Sequence, residues 1–191
     1  MDLRPSGVFY CSQFPAQAKY TVQENNMMID WANYGKYVLQ LEAAGSWSGH
    51  KLEDASSWRK LTFSAPFIAE ESLLMGNGVG SVWGFQWEKG EFEIEFCCDG
   101  FNHFVCREFS EHSHWTNEGK NLSINWGKYG EYEMVVDAIT QTMVGHKKGQ
   151  PANWRRAYFK KPISADALPA VPAHDHSHKH EHGETCADHG H

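Results

Sequence analysis

The chain has 191 residues and a formal net charge of −7, and 14% of its residues are aromatic, including 8 tryptophans. The charged residues form no basic stripe, which argues against binding to nucleic acid or to an anionic membrane surface. No apolar run approaches the roughly 20 residues that cross a bilayer, and the first residues lack the hydrophobic segment of a signal peptide. We therefore expect a cytoplasmic protein without a membrane span.

The cysteines also favour a reducing compartment. There are 5 of them, an odd number, and Cys97 and Cys98 are adjacent, so their spacing indicates no disulfide framework. We expect reduced thiols. Cys11 and Cys106 occupy matching positions of an internal repeat, which favours a packing role over chemical reactivity.

The internal repeat covers about residues 8–63 and 103–159. A shift of 95 residues aligns aromatic and glycine landmarks of the two copies, and one inserted residue brings later landmarks into register. The aligned pairs include Phe9/Phe104, Phe14/Phe109, Ile29/Ile124, Trp31/Trp126, Tyr34/Tyr129, Tyr37/Tyr132, Gly49/Gly145, His50/His146, Trp58/Trp154 and Arg59/Arg155. A repeat of this kind indicates the architecture more directly than any single motif. Residues shared by both copies are expected to hold the fold, and residues found in one copy are better candidates for a functional site.

Each copy has the pattern of about five short strands. In the first copy, for example, Tyr37, Leu39 and Leu41 occupy alternate positions, as on one face of a strand. Short strands with glycine-rich turns favour a barrel or a sandwich. A unit of about 55 residues is a poor independent folder, so we expect the two copies to share one core. The prediction is an all-β protein in which residues 1–161 form a single β-barrel built from the two tandem repeats.

The first copy also contains the segment Gly45-Ser46-Trp47-Ser48-Gly49. Its Gly-x-Trp-x-Gly form resembles the opening motif of calycins and the start of the nitrobindin motif. Calycins, which include lipocalins and fatty-acid-binding proteins, are β-barrels that hold small apolar ligands or haem in their interior. The resemblance therefore implies a ligand-binding barrel, in which Arg59 or Arg155 would pack over the tryptophan.

A β-hairpin is predicted between the two copies, at residues 83–96. A two-residue turn at Lys89-Gly90 would place Trp87 opposite Phe92. Six apolar side chains would then share one face of the hairpin and three glutamates the other, and a one-residue slip would bury the glutamates. If the barrel encloses a cavity, the apolar face would line it. The candidate ligand-binding residues are Trp83, Phe85, Trp87, Phe92, Ile94 and Phe96.

The second copy has two histidines at alternate positions, His112 and His114, and Glu118 follows four residues later. Alternate residues of a strand point to the same side, so both imidazoles can bind one metal ion. The spacing resembles the first metal motif of the cupin family, His-x-His-x3-Glu, in which both histidines and the glutamate are ligands. The first copy has Gln17 and Lys19 at the histidine positions, so the predicted metal site belongs to one copy only.

The composition changes after Lys161. Prolines among small residues predict a linker, and residues 162–191 as a whole predict a proline-containing linker followed by a disordered, histidine-rich tail. Imidazole and thiolate groups are the ligands that zinc, nickel and copper prefer. The candidate metal ligands of the tail are His174, His176, His178, His180, His182 and Cys186.

Three classes of function follow from these patterns. The leading hypothesis is a barrel that binds a small apolar or aromatic molecule, with the tail as an accessory metal site. The second is a metal-dependent enzyme that uses His112, His114 and a carboxylate, with His103 or His146 as a further ligand. The third is metal storage or delivery by the tail. The expected cofactor is a transition metal (zinc, nickel or copper), to which the calycin resemblance adds haem, and no catalytic residue is assigned.

Overall fold

The computed structural model describes residues 1–43 and 45–164, and the protein is all-β. Its strands form two antiparallel sheets. One is a curled sheet of seven strands, and the other is a nearly closed barrel of eight strands. The predicted all-β class and the predicted barrel are confirmed. The expectation that the two copies share one core is wrong, because their buried residues form two separate clusters. No helix in the described part of the chain is long and apolar enough to cross a membrane.

The curled sheet is a simple meander in which each strand pairs with its neighbours along the chain. Alternation sets its buried face: Met27, Ile29, Tyr37 and Leu39 are buried in one cluster, while the residues beside Met27 and Ile29 are exposed. Its strands are β1 (Asp2–Leu3), β2 (Val8–Tyr10), β3 (Ala18–Gln23), β4 (Asn26–Asp30), β5 (Lys36–Ala43), β6 (Ser46–Lys51) and β7 (Asp54–Thr62).

The barrel follows one short helix, α1 (Ala69–Met75), whose Leu74 and Met75 side chains are part of the barrel core. The order of its strands is β10-β9-β8-β15-β14-β13-β12-β11. These strands are β8 (Gly80–Trp87), β9 (Gly90–Cys97), β10 (Phe104–Val105), β11 (His114–Glu118), β12 (Asn121–Asn125), β13 (Glu131–Asp137), β14 (Thr142–Lys147) and β15 (Gln150–Pro162).

The barrel closes where its two edge strands, β10 and β11, approach each other. The backbone N–H of Phe104 donates a hydrogen bond to the carbonyl of Ser113 (2.9 Å), and the N–H of Trp115 donates to the carbonyl of Asn102 (2.9 Å). An isolated antiparallel bridge joins His103 and His114 between these bonds. We call this junction the seam. Closure at the seam pairs edges that would otherwise be open to other chains.

The two copies of the repeat lie in different sheets. In the first copy, β3 to β7 form the main part of the curled sheet, and in the second copy β11 to β15 form the corresponding part of the barrel. The difference comes from the hairpin β8–β9. β8 pairs with β15 and β9 pairs with β10, so the hairpin extends the sheet from β15 to the edge strand at the seam. The curled sheet has no strand between β7 and β1 in the described residues, so it stays open, and its buried residues form a cluster separate from the barrel core.

The hairpin has the predicted faces but a different register. Phe85 pairs with Phe92 and Trp87 pairs with Gly90, so the turn consists of Glu88 and Lys89, one residue earlier than expected. The predicted pairing of Trp87 with Phe92 is therefore wrong by two residues. A shift of two residues keeps every side chain on its face, so the six apolar residues still share one side.

The last strand extends past the predicted start of the linker at residue 162. β15 ends at Pro162, and the next residue, Ile163, is buried with Val82 and Cys97. The N–H of Ile163 also donates a hydrogen bond to the carbonyl of Gly80 (2.9 Å). Residues 162 and 163 thus belong to the folded part of the chain. The six tail ligands predicted from the sequence, His174 to Cys186, lie outside the described residues.

Candidate functional site

Three histidines meet at the seam of the barrel. Each of His103, His112 and His114 offers one ring nitrogen, and these three nitrogens lie within 4.8 Å of one another. His103 is buried, His114 is half-buried and His112 is exposed, so the cluster extends from the protein interior to the surface. This group of histidines could hold a metal ion.

Closure of the barrel is what assembles the cluster. The bridge across the seam places His103 opposite His114. His112 precedes His114 by two residues, and alternate positions of an extended chain point to the same side. The ring centroids of His103 and His114 are 4.9 Å apart, and those of His112 and His114 are 4.5 Å apart. Two of the ligands thus come from local sequence, and the third comes from tertiary pairing.

A carboxylate orients His103. The Nδ1 atom of His103 forms a short hydrogen bond with Asp99, whose other carboxylate oxygen accepts the backbone N–H groups of Phe101 (3.1 Å) and His103 (3.2 Å). Burial acts to raise the pKa of Asp99, but the hydrogen bonds and the charge of His103 lower it more strongly, so the pKa lies below its usual range. An ionised Asp99 fixes the His103 ring with Nε2 directed away from the carboxylate, which is the arrangement seen around metal-ligating histidines.

His114 has a comparable arrangement. Its Nδ1 atom lies 3.1 Å from the carbonyl oxygen of Phe101, and its Nε2 atom lies 2.9 Å from the Nε2 atom of His112. A ring nitrogen that donates to a carbonyl leaves the opposite nitrogen with a lone pair. The Nε2 atom of His114 is then directed at the Nε2 atom of His112, and a cation placed between the two rings would contact both nitrogens. The Nε2 atoms of His112 and His114 are therefore suitable ligand atoms.

The loop that carries Asp99 is held by the curled sheet. Arg4 lies just after β1, and its guanidinium donates to the carbonyl of Asp99 (3.1 Å) and to the side-chain oxygen of Asn102 (2.6 Å). The same guanidinium stacks over the rings of Tyr10 (4.8 Å) and Trp115 (5.8 Å). Arg4 thus connects the N-terminal strands to the loop that supports the histidine cluster.

The structure brings together only part of the predicted cupin-like triad. His112 and His114 are in the cluster, but Glu118 lies at the other end of β11, about 13 Å away along the strand, opposite Asn121. His103 takes the third place. The sequence contains a signal for it, because a shift of 95 residues aligns His103 with Val8, so His103 occurs in one copy only, like the other two histidines.

The histidines that occur in both copies have a repeated local role. The Nδ1 atom of His50 lies 2.9 Å from the carbonyl oxygen of Lys51, and the Nδ1 atom of His146 lies 3.1 Å from that of Lys147. Both residues sit at equivalent positions of β6 and β14, at the same register shift. His146 is therefore outside the seam cluster and serves here as a matched comparison.

Five of the six candidate ligand-binding residues of the hairpin belong to the barrel core or pack against it, and the sixth, Trp87, is half-buried beside Phe109. Trp83, Phe85, Ile94 and Phe96 have 0% of their surface exposed, and Phe92 is half-buried against the same core. Their neighbours include further aromatic rings: Trp126 packs on Phe85 and Phe92 with ring centroids 6.0 and 5.9 Å apart. Binding of an apolar ligand by these six residues stays a prediction.

Comparisons with known proteins give no relative for this chain: no protein-family model matches it, and neither the curated proteins nor the solved structures contain a match.

Proposed function

We propose that the protein binds a divalent transition metal ion through His103, His112 and His114, and zinc is the ion with which the proposal is tested. The observation that carries the proposal is the approach of three imidazole ligand nitrogens to within 4.8 Å of one another. Nitrogen ligands lie about 2.0–2.1 Å from a tetrahedral zinc ion, which puts them about 3.4 Å from one another. The observed separations of at most 4.8 Å are near that spacing.

The surroundings of the cluster support a cation. Asp99 supplies a negative charge behind His103, and the carbonyl of Phe101 lies behind His114. Groups of this kind set the tautomer of a ligand histidine and make it a better donor. A bound ion would also connect the two edge strands of the barrel, because His103 precedes β10 and His114 begins β11.

The experiment is a zinc titration by calorimetry, followed by metal analysis, on a chain that ends at Ser164. This chain keeps every described strand and Ile163 but lacks the tail histidines, which would bind metal on their own. We expect about one zinc ion per chain. His103→Ala and His114→Ala should each weaken binding by about 10-fold or more, because three imidazole ligands define the site.

The matched control is His146→Ala, which removes a half-buried histidine of the same barrel outside the cluster. It should bind zinc like the parent chain. The proposal fails if the parent chain binds no zinc at micromolar concentrations, or if His146→Ala weakens binding as much as His103→Ala does.

A second candidate function is metal-dependent hydrolysis, and the exposure of His112 favours it. Zinc held by three imidazoles keeps a position for water, and the metal lowers the pKa of that water to about 7. An outer cleft of about 340 Å³ includes His114, Glu131, Glu133 and Lys148 in its wall, so a polar substrate could lie beside the cluster. A zinc-dependent rate of ester hydrolysis that is lost in His112→Ala would support this candidate, and a rate unchanged by that substitution would remove it.

A further inference from the structure

The open curled sheet contains a cleft that has no counterpart in the sequence-based predictions. Its volume is about 400 Å³, within the range of about 300–1,000 Å³ that is usual for small-molecule sites. Apolar and aromatic side chains form most of its wall. The wall includes Phe9, Trp31, Tyr37, Leu39 and Leu61, and Arg59 lies at the rim.

The barrel shows what fills the equivalent space in the second copy. Trp126 aligns with Trp31, and its ring packs against two rings of the hairpin, Phe85 at 6.0 Å and Phe92 at 5.9 Å. Arg155 aligns with Arg59, and its guanidinium lies over a third hairpin ring, Trp87, at 5.7 Å. Aromatic rings therefore occupy this position in the barrel.

The same framework is present in the curled sheet without the aromatic cover. The indole N–H of Trp31 donates to the carbonyl of Phe14 (3.2 Å), as that of Trp126 donates to Phe109 (3.0 Å). The Trp31 ring meets Phe9 edge-on at 4.8 Å, and the Trp126 ring meets Phe104 at the same distance. The aromatic walls are thus held by contacts within the protein and do not need a bound ligand. Binding to such a preformed site costs less conformational entropy.

The residues that the hairpin covers in the barrel are more exposed in the curled sheet. Trp126 and Arg155 are 3% and 8% exposed, whereas Trp31 is only half-buried and Arg59 is exposed. Phe14 is 47% exposed, whereas Phe109, which aligns with it, packs against the barrel core. In the barrel the hairpin covers these positions, and in the curled sheet no described residue does.

The rim of the cleft is positively charged. The Arg59 guanidinium lies 5.4 Å from the centre of the Tyr37 ring, and it donates a hydrogen bond to the carbonyl of Trp58 (2.8 Å). No carboxylate of the described residues lies within ion-pair distance of Arg59. A guanidinium beside an aromatic wall is suited to a planar ring and to a carboxylate or sulfonate, which it binds with two parallel hydrogen bonds.

We propose that the cleft of the curled sheet binds a small planar aromatic molecule with an anionic group, whose ring lies against Trp31 and Tyr37 and whose charge reaches Arg59. The segment after Phe159 contains no Phe, Trp or Tyr, so it has none of the large aromatic side chains with which the hairpin covers the equivalent position of the barrel. The site is independent of the histidine cluster, because none of its wall residues belongs to the seam.

The test uses two fluorescent probes on the full chain: the anionic 1-anilinonaphthalene-8-sulfonate and the neutral N-phenyl-1-naphthylamine. Both should bind with about one equivalent and increase in fluorescence. Arg59→Gln should raise the dissociation constant of the anionic probe about fivefold or more and leave that of the neutral probe unchanged, because only the anion uses the guanidinium. Leu61→Trp fills the cleft and should weaken both probes.

Arg156→Gln is the matched control, because Arg156 is an exposed arginine of the barrel that stacks on Trp154. It should leave both dissociation constants unchanged, and circular dichroism should show that all three variants are folded. The proposal is overturned if neither probe binds, if Arg59→Gln affects the anionic probe no more than Arg156→Gln does, or if Leu61→Trp has no effect. A dimer in light scattering that Leu61→Trp dissociates would also overturn it, because a second copy would then cover the cleft.

Discussion

Arg4 is a cationic side chain that the fold buries, with 1% of its surface exposed. Its two terminal nitrogens donate hydrogen bonds to the loop of Asp99 and Asn102, and its guanidinium contacts the rings of Tyr10 and Trp115. Its Nε atom has no hydrogen-bond partner. Burial of an incompletely bonded charge is costly, so the contacts to the loop and the rings must outweigh that cost in the folded state.

Arg4→Ala should therefore destabilise the protein by about 2–4 kcal/mol, because it removes the packed side chain and leaves the Asn102 side-chain oxygen without its donor. Urea unfolding measures the change. Arg107→Ala is the control: this arginine pairs with Glu95 at 3.3 Å, but its side chain is 82% exposed, and such pairs contribute little. A loss for Arg4→Ala no larger than that for Arg107→Ala would contradict the structural role of Arg4.

Two buried cysteines, Cys98 and Cys106, should be chemically inert in the folded protein. Burial raises the pKa of the Cys98 thiol to about 11, and it raises that of Cys106 to about 11 as well. At pH 8 about one thiol in a thousand would then be a thiolate, which is the reactive form. In a Cys186→Ser chain, a thiol reagent such as Ellman's reagent should modify Cys98 and Cys106 slowly until urea unfolds the protein. Rapid modification of either thiol in the folded state would contradict their burial.

At the residue scale, the sequence predicts those contacts of the site that depend on local geometry. The alternation of His112 and His114 is sufficient to place two imidazoles on one side of the chain. His103 lies nine residues before His112, and it reaches the cluster only because the barrel closes at the seam. The contact between Arg4 and Asp99 is even less accessible to prediction from local sequence, because the two residues are 95 positions apart in the chain.

At the scale of elements, the absence of a side chain at Gly145 allows the backbones of β13 and β14 to pack closely. Gly145 pairs with Met134, and a Cβ atom at residue 145 would overlap the carbonyl oxygen of Glu133 and lie 2.7 Å from the Met134 Cα atom. Gly145→Ala should cost about 2 kcal/mol or more, because the backbone of β13 must move. The measurement is urea unfolding of the variant and of the parent chain.

Gly149→Ala is the matched control for this prediction. Gly149 has a φ of +72°, and a Cβ atom there would have nothing within 4 Å, so the substitution costs only the left-handed backbone conformation, about 1 kcal/mol. A smaller loss for Gly145→Ala than for Gly149→Ala would show that the close approach of β13 does not limit residue 145. Gly49 has the same overlap with Val38 in the curled sheet, so Gly49→Ala tests the same constraint there.

For the hairpin β8–β9, the sequence predicts the buried face but not the register of the two strands. The alternation of apolar residues and glutamates determines which face is buried, and the structure agrees with it at all six apolar positions. It does not determine register, because a shift of two residues buries the same side chains. The observed turn at Glu88-Lys89 follows from the pairing of Phe85 with Phe92, which the alternation alone does not distinguish from the predicted pairing of Trp87 with Phe92.

At the scale of the whole molecule, the two copies of the repeat take different forms for one physical reason. Five antiparallel strands curl but do not close, and the hairpin β8–β9 completes a barrel for the second copy only. The sequence supports the all-β class and the strand order within each copy, because both depend on alternation and short turns. It does not indicate which copy receives the hairpin, since the hairpin lies between them along the chain.

The proposed zinc ion would act on the whole barrel, because it would join its two edges at the seam. An ion that binds only the folded state stabilises it by about 2.7 kcal/mol at a hundred times the dissociation constant. In a chain of this size each kcal/mol raises the melting temperature by about 2–4 °C, so the chain ending at Ser164 should melt about 5–10 °C higher at that zinc concentration. The increase should persist in His146→Ala, which leaves the seam intact, and fall to about half or less in His103→Ala, because a loss of about 10-fold or more in affinity removes about half or more of the stabilisation. An equal increase in both variants would mean that zinc stabilises the protein from somewhere other than the seam.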